Sequence, residues 1–410
     1  MKNHAKVQRV VYVVSLFPCW SETFIVREIN GLIENGVDVR IVSLKKPSET
    51  MVQEDAAALM DRVLHPRSPL QALAGVARAF AARPTAVIGA HAAIVADGWR
   101  QPSSLAKSLV ALWRGLEHID WLREFDPQLI HSHWATYPST AAWAMASVVE
   151  RPFGFTCHAH DIFIEKQLLA RKIEDAALAV TISRYNVEWL QQHVTPTASD
   201  KLKIVHCGVD MDRTPWQPEG REPNTLLTVG RLDPIKGFSS LIQALALLQA
   251  RDVDFHCTLI GSGPLETSLK QLAAELGVAA RMDFAGAQPQ DVVRAHMAKA
   301  ALFVMPSEVT PAGNRDGIPV ALMEAMGNGC PVISTRVSGI PELVGHEQQG
   351  LLVDERDPAA LADAMRRLLQ DQPLRERLTK AARIRVEEQF DARIEATRLL
   401  GYMQEVAYGC

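Results

Sequence analysis

Short, β-rich apolar runs alternate with longer amphipathic segments along almost the whole chain, and this alternation limits the available folds more than any other feature. Strands that are apolar along their length are buried on both faces, and the helices between them supply the crossovers. The pattern therefore predicts α/β architecture with parallel, doubly wound sheets. In the first half, Arg9–Leu16, Val37–Ser43, Leu129–His133, Phe153–His158, Ala177–Ile182 and Lys203–His206 read as strands. Thr23–Glu34 reads as a helix that opens after Ser21 as N-cap and stops at the Asn35-Gly36 turn; Ser139–Val149 and Arg184–His193 have the same character.

The texture changes once. Asp210–Asn224 holds three prolines, a glycine and many charges with no apolar period, and reads as a linker. Beyond it the alternation restarts, with strands at Leu226–Val229, Phe255–Ile260, Met282–Ala285, Leu302–Met305, Val332–Thr335 and Leu351–Val353. Two Rossmann-like units are expected, residues 1–210 and 211–388, facing each other across a cleft, with 389–410 as a C-terminal helix packing back on the first. Ligands of such sheets bind outside the carboxyl ends of the strands.

With 48% hydrophobic and 22% charged residues, the chain has the balance of a soluble protein with real cores, which excludes disorder, collagen and coiled coil. Lys plus Arg number 43 against 47 Asp plus Glu, so no bulk positive field points to nucleic acid. Cys19, Cys157, Cys207, Cys257, Cys330 and Cys410 form no CxxC pair and read as reduced thiols of a cytoplasmic protein. The apolar run Val10–Phe17 is too short for a leader and reads as a first strand. The Ala-rich stretch Leu70–Leu116, broken by Arg78, Arg83, Asp97, Arg100 and Lys107, is suited to lie on a membrane surface but not to cross it. Ordinary helices covering the sheet fit the same pattern.

Thr228–Gly237 ends a strand and opens a helix, so Arg231 and Lys236 stand where backbone N–H groups already attract anions, and a cation pair there suits a diphosphate. Solvated loop cations would look the same. Gly261 and Gly263 follow the next strand and would let a phosphate or ribose approach the backbone, or simply form a tight turn. Asp316 lies in a loop and Glu324, eight positions later, on the helix begun by Gly317 and Pro319, whose free N–H groups can hold a sugar or phosphate oxygen. Glu324 is flanked by Leu322, Met323, Ala325 and Met326, and a charge embedded in that apolar run needs a partner unless it faces solvent.

His158 with His160, and His131 with His133, stand two apart on strand ends and so face the same way. No thiolate or carboxylate set at zinc spacing accompanies them, and a polar rim that hydrogen-bonds a sugar is the preferred reading over a metal site. Asp161 extends that rim. Ser21, Glu22 and Thr23 follow the first strand and offer donors and acceptors to an acceptor, or serve as a helix cap.

Together these segments resemble the retaining GT-B glycosyltransferases of family 4, within them the bacterial exopolysaccharide and colanic-acid type. The most specific parts are GRLDPIKG, IGSGPL, PSEVTPAGNRDGIPVALMEAMGNGCPV, SGIPELV and SETFIVRE, in that family's order save that the last lies at the N-terminal end. The resemblance implies transfer of a sugar from a UDP- or GDP-sugar to a hydroxyl of a glycan or lipid-linked acceptor, with no cofactor and no metal. It implies that Arg231 and Lys236 neutralise the diphosphate, that Glu324 takes the ribose, and that Asp316 stands in for the first Glu of an E-x7-E motif, with Glu308 lying too early. It also places His158 at the donor sugar, the backbone of Gly317, Ile318 and Pro319 beneath it, and Gly286 and Ala287 at the base. A glycine-rich loop after the first strand, common in the family, is replaced by Ser21-Glu22-Thr23. Location in the cytoplasm, peripheral at the inner face of the cell membrane, follows as an expectation. A nucleotide-sugar 2-epimerase of the same architecture and a non-catalytic binding subunit are the competing readings.

Overall fold

The computed structural model describes residues 6–19, 22–47 and 52–408. It divides into two compact units, one of Met1–His206 with Arg393–Cys410 and one of Cys207–Ala392, so the chain crosses between them twice. The first unit contains strands β1 (Arg9–Leu16), β2 (Asp38–Lys45), β3 (Val63–Leu64), β4 (Leu129–His133), β5 (Phe153–Cys157), β6 (Leu178–Thr181) and β7 (Leu202–Ile204). They form one parallel sheet in the order β3-β2-β1-β4-β5-β6-β7, with Val10 beside Val39 on one side and Leu129 on the other. The order reverses between β1 and β4, the switch point at which open α/β sheets bind ligands.

Side chains of β1 alternate between two cores. Val11 and Val13 face one cluster, while Val10, Tyr12 and Val14 face the other. Helix Thr23–Glu34 covers the second face through Ile25, Ile29 and Leu32, where Leu399 and Met403 of helix Ala392–Tyr408 join it. Helix Tyr137–Val149 covers the first face together with three helices, Pro69–Ala82, Pro84–Gly98 and Pro102–Leu116. Each of the three opens on a proline, tolerated there because the first helical N–H has no partner in any case. Among the described residues no single helix is long and apolar enough to cross a membrane; the first two of these are so only together, and they are bent by 111°.

The second unit contains β8 (Glu222–Val229), β9 (His256–Ile260), β10 (Met282–Gly286), β11 (Ala300–Met305), β12 (Val332–Thr335) and β13 (Leu351–Val353), parallel in the order β10-β9-β8-β11-β12-β13. It has one large core, with Phe238, Leu241 and Leu245 on one flanking helix and Leu322, Met323 and Met326 on another.

Two details differ from the sequence reading. The strand β3 has only two residues, too few to show a period. The stretch Asp210–Asn224 is anchored to the second unit: Arg221 donates to the carbonyls of Met297 (2.7 Å), Ala300 (2.9 Å), Gln217 (2.7 Å) and Asn328 (3.0 Å). One guanidinium satisfying several carbonyls leaves no trace in hydrophobic periodicity. The helices expected towards the C-terminal end are Pro358–Gln370 and Gln372–Gln389, and Asp371 caps the second by accepting from Leu374 N at 2.9 Å. The two crossings also lie side by side: Val209 N donates to Phe390 O at 2.8 Å, Ala392 N to Val209 O at 2.9 Å, and His206 N to Glu395 Oε2 at 2.8 Å.

Candidate functional site

In the second unit, the carboxyl ends of three neighbouring strands are stitched together by backbone hydrogen bonds. Gly230 N donates to Ile260 O (2.9 Å), Leu232 N to Ser262 O (3.0 Å) and Gly261 N to Gly286 O (2.8 Å). The turns holding Arg231, Gly261, Gly263 and Gly286 therefore form one edge, which the sequence suggested only as separate motifs. Two positions require glycine: Gly237 has φ +65° and a Cβ there would lie 1.8 Å from Pro306 O, while Gly261 has φ +144° and its Cβ would lie 1.9 Å from Gly230 O.

On that edge Lys236 Nζ lies 2.9 Å from Asp316 Oδ1, and Ser307 Oγ donates to Asp316 Oδ2 at 2.8 Å. The Lys236 and Asp316 side chains are only 16% and 11% exposed, so each charge depends on the other. Arg231 is exposed at the same turn. Gly317, Ile318 and Pro319 are buried and lead into helix Val320–Asn328, which has no side-chain cap, so its first amides remain available to an oxygen ligand. Glu324 is buried on this helix and accepts from Gln290 Nε2 at 3.1 Å, which answers the demand for a partner. Ala287 is exposed beside Gly286.

Glu308 lies beside this pair, its N donating to Ile235 O at 2.9 Å, but its carboxylate is engaged elsewhere. Its carboxylate accepts from Ser240 Oγ and pairs with Arg356 Nε at 3.3 Å. The stretch Val309–Arg315 folds as a local turn, with Gly313 N on Thr310 O (2.8 Å), Thr310 N on Asn314 O (2.8 Å) and Val309 N on Glu355 Oε2 (2.6 Å).

The first unit gathers a second polar cluster at the ends of β4 and β5, joined by Tyr12 from the middle of β1 and Glu28 from helix Thr23–Glu34. Tyr12 O–H donates to Glu28 Oε1 at 2.6 Å, and His133 Nε2 donates to the same oxygen at 2.9 Å. A carboxylate only accepts, so His133 holds a proton on Nε2; its Nδ1 lies within hydrogen-bond distance of His158 Nε2, at 3.1 Å. His158 also packs against Trp134 and Phe24, with ring centroids 4.7 Å and 5.0 Å away. Burial, then repulsion from His133, pushes the His158 imidazole down to about 3, so it is neutral at pH 7. Burial pushes Glu28 up, but His133, His131 and Tyr12 outweigh it and hold the carboxylate well below its usual range.

Other expected site residues are placed differently. Asp161 is fully buried, and its oxygens accept from the backbone amides of Ala135 and of His158 (2.7 Å), so it holds the two strand-end loops together instead of lining a rim. Lys172, which sequence reading passed over, donates to the carbonyls of Ala135 (2.7 Å) and Thr136 (2.8 Å) from the other side of the same loop. Burial raises Asp161 and lowers Lys172, each to about 7. His160 is exposed on the short helix Ala159–Phe163. Glu22 accepts from Trp134 Nε1 at 2.9 Å and Thr23 begins its helix, while Ser21 lies outside the described residues. His131 contacts Thr156 Oγ1 at 2.8 Å. Among the described residues no group of three or more His, Cys, Asp or Glu side chains is arranged to hold a metal ion. Tyr12, Glu28 and His133 were missed as a group; the available signal was Glu28 on the same helical stripe as Phe24 and Ile25, a charge on a face that packs inward.

Two doubly wound parallel sheets, each with a polar constellation at its strand ends, define a GT-B protein. The description "Glycosyltransferase Family 4" matches residues 21–213, and "Glycosyl transferases group 1" matches 212–385. The chain belongs to the family 4, group 1 glycosyltransferases. It is 33% identical over 211 residues to the amylovoran biosynthesis glycosyltransferase AmsK of Erwinia amylovora, covering 51% of this chain and 52% of that one. It is 35% identical over 208 residues to the colanic acid biosynthesis glycosyltransferase WcaL of Escherichia coli, described as putative in its own name, covering 50% and 51%. The chain thus spans about half the length of these relatives. Among solved structures, a sucrose-phosphate synthase from Thermosynechococcus elongatus superposes with TM-score 0.70 at 19% identity, covering 96% of this chain and 97% of the other. HepE from Anabaena, in complex with UDP and glucose, superposes with TM-score 0.70 at 17% identity, covering 96% and 98%.

Proposed function

We propose that this protein transfers a sugar from a nucleotide-sugar donor to a hydroxyl of a glycan or lipid-linked acceptor, in the assembly of exopolysaccharide or another cell-surface polysaccharide. The observation that carries this reading is the Lys236–Asp316 pair at 2.9 Å, set on the glycine-rich strand-end edge beside exposed Arg231 and the uncapped start of helix Val320–Asn328. Fixed cations and helix amides at one point suit the diphosphate of a leaving nucleotide. Names of relatives point the same way: AmsK and WcaL are named for amylovoran and colanic acid biosynthesis, and other relatives as GDP-mannose-dependent mannosyltransferases.

In this reading the bond from the anomeric carbon to the diphosphate oxygen breaks with its electron pair going to the phosphate, where Arg231 and Lys236 receive the charge. The acceptor oxygen bonds to the same face of the carbon and gives its proton to a phosphate oxygen, so configuration is retained without a protein nucleophile. Asp316 orients Lys236, Glu324 takes ribose hydroxyls, and neutral His158 hydrogen-bonds a sugar hydroxyl. The backbone near Gly286 and Ala287 meets the base, and Glu22 and Thr23 face the acceptor. Charge neutralisation by side chains and helix amides leaves no step that needs a divalent metal.

The test is incubation of the protein with UDP- and GDP-sugars, with and without a lipid-linked oligosaccharide fraction. Glycosylated acceptor with a retained anomer is expected. Conversion of donor without any acceptor would instead make the protein an epimerase, and absence of both would make it a binding subunit.

A further inference from the structure

We propose that the three helices Pro69–Ala82, Pro84–Gly98 and Pro102–Leu116 form a docking surface for an anionic lipid bilayer. Eight of the fourteen large apolar side chains exposed among the described residues fall within these helices and the residue that ends the second. That concentration exceeds the scattered apolar exposure of an ordinary surface.

The exposed residues recur at helical spacing. On the first helix Leu70, Leu73 and Phe80 stand at i, i+3 and i+10, and are 82%, 63% and 47% exposed. On the second, Ile88, Val95 and the terminal Trp99 stand at i, i+7 and i+11, all about half exposed, while Val87, Ala90 and Ile94 on its other side enter the core. This helix is apolar on both faces, with Thr85, His91 and Asp97 as its only polar side chains. A helix of that kind is ordinarily buried all round, yet one side here meets water. On the third helix, Val110 and Trp113 are exposed, and Trp113 Nε1 donates to His91 Nε2 at 3.0 Å, which makes the second and third stripes adjoin.

Charge selects the occupant. Between Pro69 and Leu116 stand Arg78, Arg83, Arg100, Lys107 and Arg114 against Asp97 alone, on a chain of formal net charge −4. Asp97 accepts from Leu168 N at 3.1 Å. Arg78, Arg83 and Arg114 pair with Asp120, Glu150 and Glu117; the first two pairs are exposed on both sides, and such pairs contribute little and exchange readily for lipid phosphate. The Arg100 guanidinium lies 4.6 Å from the Trp99 ring, which puts a cation beside an indole, a side chain favoured at the level of lipid headgroups. A second copy of this chain would bring the same excess of cations to a two-fold contact, so like charges oppose self-pairing. An anionic bilayer meets both the apolar stripes and their cations.

Vesicle flotation tests the surface and uses neither donor nor turnover, so its failure leaves the transfer reading untouched. Wild-type protein is expected to float with phosphatidylcholine vesicles containing phosphatidylglycerol at low salt, more weakly with phosphatidylcholine alone, and to be released as salt rises. Trp99→Glu combined with Trp113→Glu should lower the vesicle-bound to free ratio by roughly a hundredfold, about tenfold for each indole removed. Arg100→Glu with Lys107→Glu should abolish the preference for phosphatidylglycerol; thermal unfolding of both variants checks that the fold is kept. The proposal is overturned if wild type stays with the unbound fraction at low salt, or if folded variants float as it does. It is also overturned if the tryptophan variant abolishes a concentration-dependent dimer that shows no vesicle binding.

Discussion

Lys236 and Asp316, eighty residues apart in sequence, meet at 2.9 Å with little water around either side chain. Removing the cation deprives the proposed leaving group of a fixed donor and leaves Asp316 with Ser307 as its remaining partner. Lys236→Ala is therefore expected to cut transfer by about 100- to 1000-fold and to lower the melting temperature measurably. Arg231→Ala should cut transfer comparably without a stability change, because the side chain is exposed. Steady-state rates with melting curves check both; wild-type turnover in the two variants removes the donor assignment.

Asp316→Asn is expected to keep the fold and lose activity, since replacing one acceptor oxygen with an amide donor mispairs Lys236 or Ser307 at a cost of roughly 1 to 3 kcal/mol. Asp316→Glu should be mildly impaired. Glu308→Gln should retain turnover, because its carboxylate is occupied with Ser240 and Arg356 and not with Lys236 or Asp316. The opposite ranking, Glu308→Gln inactive and Asp316→Asn active, would move the acidic role upstream.

Acid stability carries the signature of the histidine cluster. Burial lowers His131 and His158 to about 3 from an ordinary 6.5, so between those values the unfolded chain binds more protons and stability falls with falling pH. Each contributes about 1.4 kcal/mol per pH unit in the middle of that window. Asp161, raised to about 7 by burial, acts oppositely above its ordinary value and offsets about one histidine. Glu28, held low, adds a further loss below the ordinary carboxylate range. Denaturant unfolding from pH 7 to 4 should show this net decline, and His158→Asn should flatten it by about one proton. An unchanged slope in that variant would mean His158 titrates normally.

Transfer is expected to survive EDTA. Activity lost to the chelator and restored by manganese or magnesium would require a metal in the step now assigned to Arg231 and Lys236.

The strand periods and the Gly-bracketed turn after β8 were legible in the sequence because each is a local pattern: apolar runs, a glycine bend, a cation beside it. The pairing of Glu28 with His133, 105 residues apart, was not, since no local rule says which strand end a helix carboxylate will face. Asp161 shows the converse error. Its place after two histidines suggested an exposed rim, whereas two backbone amides draw it fully inside. Arg221 looked like linker charge and instead closes a set of carbonyl ends around β8.

Because entry and exit of the second unit run hydrogen-bonded to each other at Val209, Phe390 and Ala392, Cys207–Ala392 is a cassette inserted into a continuous host. His206 N rests on Glu395, so excising the cassette leaves ends that a very short peptide can rejoin, at little loop-closure cost. On the proposed donor assignment, grafting the equivalent segment of a relative at these same two seams should exchange nucleotide preference as a single transplant, and donor-panel assays of the chimaera check it.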